Sequence, residues 1–209
     1  ADPTAKPRML PTWRPDAGMN IESSGWNAYI KKLCQVSGVE IVKFADLVNA
    51  LQKRHDFFAE MGCRLSDHGL EEFYDEPYTE SEIDAIMEKA FHGKSLSAVE
   101  IRKYKHAYTF EQGVMDAKSG LTQQYQYGAI RNNNSKMFAK LGADTGFDSI
   151  GEFTTAKAMS RFLDELNSKD CLAKTIIYCL NPSANEVIAT MLGNFQDGSV
   201  ARKIQFGSG

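Results

Sequence analysis

Histidine is scarce and poorly spaced for metal binding. The four residues His55, His68, His92 and His106 form neither an HxH nor an HExxH pair, so the usual zinc signatures are missing. Cysteine is equally thin: Cys34, Cys63, Cys171 and Cys179 lie far apart with no CxxC. That excludes a disulfide-dense secreted scaffold and a zinc ribbon, and it reads as buried free thiols in a reducing, cytoplasmic compartment. No apolar run approaches the roughly 20 residues of a membrane helix. The start, Ala1-Asp2-Pro3, lacks the basic, apolar, cleavable layout of a signal peptide. Neither sign of charge dominates, with 24 Lys and Arg against 27 Asp and Glu and a net charge of -3. The basic residues are spread along the chain, so the clustered face that releases phosphate counterions is absent and nucleic acid is excluded as a partner.

What is present is an ordinary globular composition, 43% hydrophobic over 209 residues, enough for a single domain over 1–209. Arg8 to Trp13 reads as a short buried strand, followed by a loop from Arg14 to Gly18. Two helices follow, one with Trp26, Tyr29, Ile30 and Leu33 on a stripe, the next with Phe44, Leu47, Val48, Leu51 and Phe58. Gly62 closes the second, and Cys63 to His68 reads as a strand. After an acidic, Tyr-containing loop, Thr79…Glu82 and Ser97…Glu100 fit capping boxes and predict a helical-hairpin insert over 79–120. Leu121 to Tyr127 is an unusually polar strand candidate. Residues 128–151 read as a Gly- and Asn-rich loop, in which Asn132 to Asn134 suit a turn with left-handed backbone. A helix with Ala158, Met159, Phe162, Leu163 and Leu166 precedes the clearest strand, Lys174 to Leu180. A helix capped by Ser183…Glu186 and a last strand, Lys203 to Phe206, complete the order β-αα-β-αα-β-α-β-α-β.

Strands alternating with long helical crossovers mean parallel pairing, so the fold class is α/β. In such sheets the site lies at the carboxyl ends of the strands. That rule gathers Arg14, Asp16, Asp67, His68, Arg131 to Asn134 and Asn181 on one rim suited to a small polar substrate.

Seven stretches, in order, carry a resemblance: LPTWRPD from Leu10, GCRLSDH from Gly62, GAIRNNN from Gly128, DTGFDSI from Asp144, LNP from Leu180, GNFQ from Gly193 and QFGSG from Gln205. Together they resemble uronate isomerases, which interconvert glucuronate or galacturonate with keto sugars. The resemblance implies an amidohydrolase-type (β/α)8 barrel, of which this chain matches the middle portion. Its form here is then a partial TIM barrel or an open α/β sheet, with unpaired edges through which self-association is open. The resemblance places Asp67 as the catalytic proton carrier and Arg14, His68 and Arg131 as substrate-binding residues. A guanidinium fork suits a sugar carboxylate, and an Asp suits proton transfer between neighbouring sugar carbons through an enediol. The alternatives stay open: Arg14 paired simply with Asp16, Asp67 capping the following segment, His68 a satisfied strand-end histidine.

The departures are as informative. The family's HxH and a later Asp and Arg have no counterpart here. Gln126 stands in QYQYGA where the family has QxHxGA, and an amide can neither shuttle a proton nor ligate a metal as imidazole does. The resemblance leaves room for a divalent metal such as zinc in the full-length enzyme, and the expectation for this stretch is no metal and no cofactor. Thr109, Glu111, Gln112 and Ala117 replace apolar family positions, and they read as substitutions that keep a newly exposed surface soluble. The expectation is an inactive, excised and redesigned piece of a hexuronate isomerase, with a natural divergent homologue as the blander alternative. A non-catalytic scaffold and a weak binder of acidic sugars are the other functional readings.

Overall fold

The structure, a computed structural model, describes residues 4, 6, 9–153 and 156–207. Arg8, Ser208 and Gly209, parts of the first and last predicted strands and motifs, lie outside them. Chain order is α1 (Asp16–Met19), α2 (Trp26–Ser37), α3 (Phe44–Glu60), β1 (His68–Gly69), α4 (Glu80–Phe91), α5 (Ala98–Ser119), β2 (Gln123–Tyr127), β3 (Ala129–Ile130), α6 (Ser135–Leu141), β4 (Ser149–Ile150), α7 (Ala156–Ser168), β5 (Thr175–Cys179), α8 (Asn185–Gly193) and β6 (Ile204–Phe206).

The sheet runs β1-β2-β5-β6 with every pair parallel. Two further parallel bridges, Leu65 with Thr122 and Trp13 with Ser66, lengthen it towards the amino terminus. The result is a run of parallel segments in chain order. Side chains alternate along them. Tyr125, Ile177 and Ile204 are buried, and Tyr125 meets Phe162 of α7 edge-on at 5.6 Å. On the opposite face Gln124 accepts from Tyr178 Oη at 2.9 Å, which is why β2 can be so polar. Short β3 and β4 pair antiparallel as a separate ribbon.

The helical hairpin forms as its capping boxes require. Thr79 Oγ1 accepts from Glu82 N–H at 3.3 Å while Glu82 accepts from Thr79 N–H at 2.8 Å. Ser97 and Glu100 repeat the exchange at 3.2 and 2.8 Å. Gly120 closes α5 in the left-handed region at φ 67°, a backbone that a Cβ disfavours. Helix α5 is part of the core. Tyr104, Tyr108, Met115 and Asp116 are all buried, and Arg102 ties the preceding loop down through Glu72 and Glu76.

Several expectations are corrected. Met9 and Leu10 are exposed at 78% and 45%, and only Trp13 pairs with a neighbour, so the first segment is a bridge. Residues from Asp16 turn into α1 because Gly18 N–H reaches Pro15 C=O at 2.9 Å. Of the predicted strand from Cys63, Leu65 and Ser66 form bridges while the strand itself is His68–Gly69. The stretch 128–151 is no plain loop, since it holds β3, α6 and β4. Asn181, not Ser183, caps the start after the fifth strand: its Oδ1 accepts from Ser183 N–H at 3.0 Å over a 3-10 turn. Thr109 and Gln112 are buried and bonded, so they are not solubilising surface changes. Thr109 Oγ1 donates to Lys105 C=O at 2.8 Å, and Gln112 Oε1 accepts from the Trp13 indole at 2.9 Å. All four cysteines are free, Cys63 and Cys179 buried, Cys34 and Cys171 half-buried. Among the described residues no helix is long and apolar enough to cross a membrane.

Gly18 shows how closely α1 is held. Its carbonyl accepts from Trp26 Nε1 at 2.9 Å and Tyr104 Oη at 2.8 Å, and a Cβ there would collide with the Tyr108 hydroxyl and stand 2.9 Å from the Tyr29 ring. Gly18→Ala is expected to cost about 1–3 kcal/mol by overpacking. Gly25→Ala, which meets nothing nearer than Ser23 Oγ at 3.7 Å, should stay within about 0.5 kcal/mol. Urea unfolding of the two variants checks the difference.

Candidate functional site

The carboxyl ends of the parallel segments converge on a cluster of charges. Trp13 locks the first segment. Its N–H donates to Leu65 C=O at 3.0 Å and its C=O accepts from Asp67 N–H at 2.9 Å. Arg14 therefore leaves the sheet beside Asp67. Arg14 Nη1 donates to Asp67 Oδ2 at 2.7 Å and Nε to Asp16 Oδ2 at 3.2 Å. Asp67 Oδ1 accepts from Gln126 Nε2 at 2.8 Å, and Asp16 Oδ2 also accepts from Gly69 N–H at 2.9 Å. The pairing of Arg14 with Asp16 is thus real, and it coexists with the bond to Asp67.

His68 lies beneath this layer. Its ring is buried and stacked on Tyr125 at 5.4 Å. Its Nδ1 is 3.5 Å from Asp16 Oδ1 and its Nε2 3.9 Å from Asp116 Oδ2. Asp116, fully buried on α5, accepts from Ser66 Oγ at 2.5 Å and from His55 Nε2 at 3.0 Å. Burial alone would push the His68 pKa down, but the carboxylates of Asp116 and Asp16 outweigh it and hold the imidazolium up to about 9. Burial would likewise raise Asp116, but His55, His68 and Ser66 keep its carboxyl below the usual range. Asp16 is kept low against its own burial by His68, the Gly69 amide and Arg14.

Above the cluster opens a cavity of about 570 Å³ whose wall includes Arg14, Asp16, Gly69, Lys105 and Arg131. A neighbouring hollow of about 360 Å³ continues past Arg131 to Gln126, Tyr178 and Cys179. Gly69 is the floor between the guanidiniums: a Cβ on it would stand 3.2 Å from Arg14 Nη2 and 4.0 Å from Arg131 Nη2. Arg131 is carried by the turn after β3. Asn132 there is left-handed at φ 52°, and Asp148 accepts from Asn132 N–H at 2.8 Å and from Arg131 Nη1 at 2.7 Å. Both guanidiniums remain about half exposed, 49% for Arg14 and 51% for Arg131, so they are open to an anion.

Of the expected rim residues, Arg14 and Arg131 line the cavity together, while Asp67, bonded to Arg14, and His68 are both buried behind its wall. Asp116, Lys105 and Gly69 had no visible signal in the sequence: an Asp and a Lys within a helix read as solvated, and a glycine before Leu70 reads as a turn. As a metal site the cluster does not fit. Each acid is already engaged by a cation or a neutral donor, and among the described residues no group of three or more His, Cys, Asp or Glu forms a ligand set.

Comparison with known proteins adds the family context. The glucuronate isomerase family profile matches residues 1–209. A uronate isomerase of Bacteroides thetaiotaomicron is 65% identical over 97% of this chain and 43% of its own length. One from Cellvibrio japonicus is 53% identical over 100% of the chain and 45% of its own length. The crystal structure of a uronate isomerase from Thermotoga maritima superposes with a TM-score of 0.87 at 33% identity, over 95% of this chain and 42% of that one. A glucuronate isomerase from Caulobacter crescentus shares the fold, TM-score 0.82 at 20% identity. The chain spans less than half the length of the curated relatives it matches.

The His68 clamp makes a pH prediction. A histidine raised in the folded state stabilises fully below its ordinary pKa of 6.5, and that contribution is lost as pH rises through about 9. The denaturation midpoint is expected to fall across that window in the wild-type chain and to stay level in His68→Gln. An equally steep fall in the variant contradicts the assignment.

Proposed function

The chain belongs to the glucuronate isomerase family, and from that premise we propose that its strand-end cavity is one wall of a hexuronate site. In this reading the parallel segments are an arc of a (β/α)8 barrel, the polar face bearing Gln124 and Gln126 looks into the barrel, and the full-length protein interconverts aldo- and keto-hexuronates. The observation that carries the reading is that two half-exposed guanidiniums, Arg14 and Arg131, reach the bare face of Gly69, with the Asp16 carboxylate held between Arg14 and the Gly69 amide beside them. Two forks flanking a floor without a side chain suit a flat carboxylate.

Asp67 is the proton carrier. Each of its oxygens accepts a hydrogen bond, one from Arg14 and one from Gln126, and a donor that turns away leaves an oxygen free to face the sugar. A substrate carboxylate that draws Arg14 towards itself releases Asp67 Oδ2 next to the bound sugar. The carboxylate then takes the proton from C2 of the aldose and returns it to C1, while the hydroxyl proton passes from O2 to O1 across the enediol, the same group serving as base and acid at carbon. Arg131 holds the other side of the substrate carboxylate, and His68 acts from below, fixing Asp16 and through it the Arg14 fork. No step here runs through a metal, because these residues do not make a ligand set.

This stretch supplies one wall, and half a site does not preorganise a transition state. Weak binding without turnover is the expected behaviour. Titration with D-glucuronate followed by calorimetry should show millimolar binding that Arg14→Ala and Arg131→Ala each weaken by about tenfold. Gly69→Ala should weaken it too, by placing a methyl between the guanidiniums. A coupled assay should detect no isomerisation. Ordinary turnover would mean that the site is complete in this chain. Absence of heat with glucuronate would leave a scaffold without a ligand.

A further inference from the structure

Helix α5 lies outside the rim of strand ends, yet one of its side chains reaches the cavity. Lys105 is only 7% exposed and lines the space above Gly69. Its Nζ donates to Glu22 Oε1 at 2.5 Å and lies 5.7 Å from the centre of the Tyr74 ring. The neighbours on the helix hold it there: Tyr104 Oη donates to Gly18 C=O at 2.8 Å and Tyr108 Oη to Pro15 C=O at 2.9 Å. The same helix thus pins the segment carrying Arg14 and delivers a cation beside it.

We propose that Lys105 is a specificity-determining residue of the acid-sugar cavity, a third cation that the ligand recruits by displacing Glu22. The inference rests on the hexuronate reading above. An ammonium has three donors, and among the described residues Glu22 is the single hydrogen-bond acceptor at Nζ. A largely desolvated cation with one oxygen partner gains from further oxygen ligands. Glu22 is the more exposed half of the pair, its side chain 39% exposed against 9% for Lys105, so it can return to water at low cost. A hexuronate offers what replaces it: a carboxylate for the arginines and a row of hydroxyl oxygens for the ammonium. Glu22, Glu71 and Asp144 also face the cavity, so an anion entering unaided is repelled. Exchanging Glu22 for the ligand at Lys105 removes one of those negative groups from contact as the other charge arrives. A neutral hexose carries the same hydroxyls but lacks the carboxylate that the arginines hold, so nothing anchors it beside Lys105 to drive the exchange.

The test is calorimetric titration of the whole chain with D-glucuronate, and with D-glucose as the neutral probe, in wild type, Lys105→Met and Glu22→Gln. Lys105→Met is expected to weaken glucuronate binding by about tenfold, and Glu22→Gln to strengthen it by about threefold, with glucose unaffected by either. Opposite signs distinguish competition from a purely structural ion pair, whose loss acts alike from either partner. Glu22→Gln unchanged or weaker overturns the proposal, and this variant decides alone if Lys105→Met does not fold. Wild type that binds glucuronate while both variants shift together overturns Lys105 and spares the cavity reading. Wild type that does not bind glucuronate overturns both.

Discussion

A line of alternating charge runs from the core to the cavity: Asp116, His68, Asp16, Arg14, Asp67. Its second member, His68, is the constraint on which the rest depends. A buried imidazolium between two carboxylates is tolerable only while both are present, because an unpaired buried charge is far more costly than the pair is favourable. Neither Asp16 nor Asp116 can therefore move independently of His68. Asp116 belongs to α5, Asp16 to α1, and His68 to β1, so two electrostatic contacts of one imidazole join three elements distant in sequence. Low polarisability around His68 strengthens each attraction and makes the arrangement rigid.

Rigidity below allows a responsive layer above. Arg14 is fixed at its base by Trp13 and Asp16 and shared at its tip with Asp67, and its exposed tip can exchange one carboxylate for another. Lys105 and Glu22 repeat the scheme across the cavity, a held cation bonded to a more exposed acid. The helical hairpin is what makes both possible. It supplies Asp116 to the buried line, Gln112 to the Trp13 indole, two tyrosines to the Arg14 segment and Lys105 to the wall. A fold in which α5 were merely an appendage would lose the site as well as the helix.

Local chemistry made much of this legible in the sequence. The two capping boxes, the stripes of α2, α3 and α7, and the apolar run at Thr175 to Cys179 each depend on neighbours a few residues away, and each appears where those patterns put it. Order of elements was enough for parallel pairing, and parallel pairing was enough to bring Arg14, Asp67 and Arg131 to one end. What escaped depends on distant partners. Asp116 and Lys105 are charged residues on a helix, and only the fold shows that their side chains point inward to His68 and Glu22. Gln112 reads as a surface residue because nothing nearby in sequence reveals the Trp13 indole, and Thr109 because its bond to the Lys105 carbonyl one turn back does not disclose that this face of the helix is buried. Asn181 displaced Ser183 as the cap because its Oδ1 accepts from both the N–H and the hydroxyl of Ser183 across Pro182, which occupies the serine that would otherwise cap the helix.

The most direct measurement of the central claim is a crystal structure of this chain soaked with D-glucuronate. The account predicts the sugar carboxylate within hydrogen-bond reach of both Arg14 and Arg131 above Gly69, with Arg14 drawn away from Asp67 and His68 unmoved between Asp16 and Asp116. Glucuronate bound elsewhere, or bound there with the Arg14–Asp67 contact intact and His68 displaced, would contradict it.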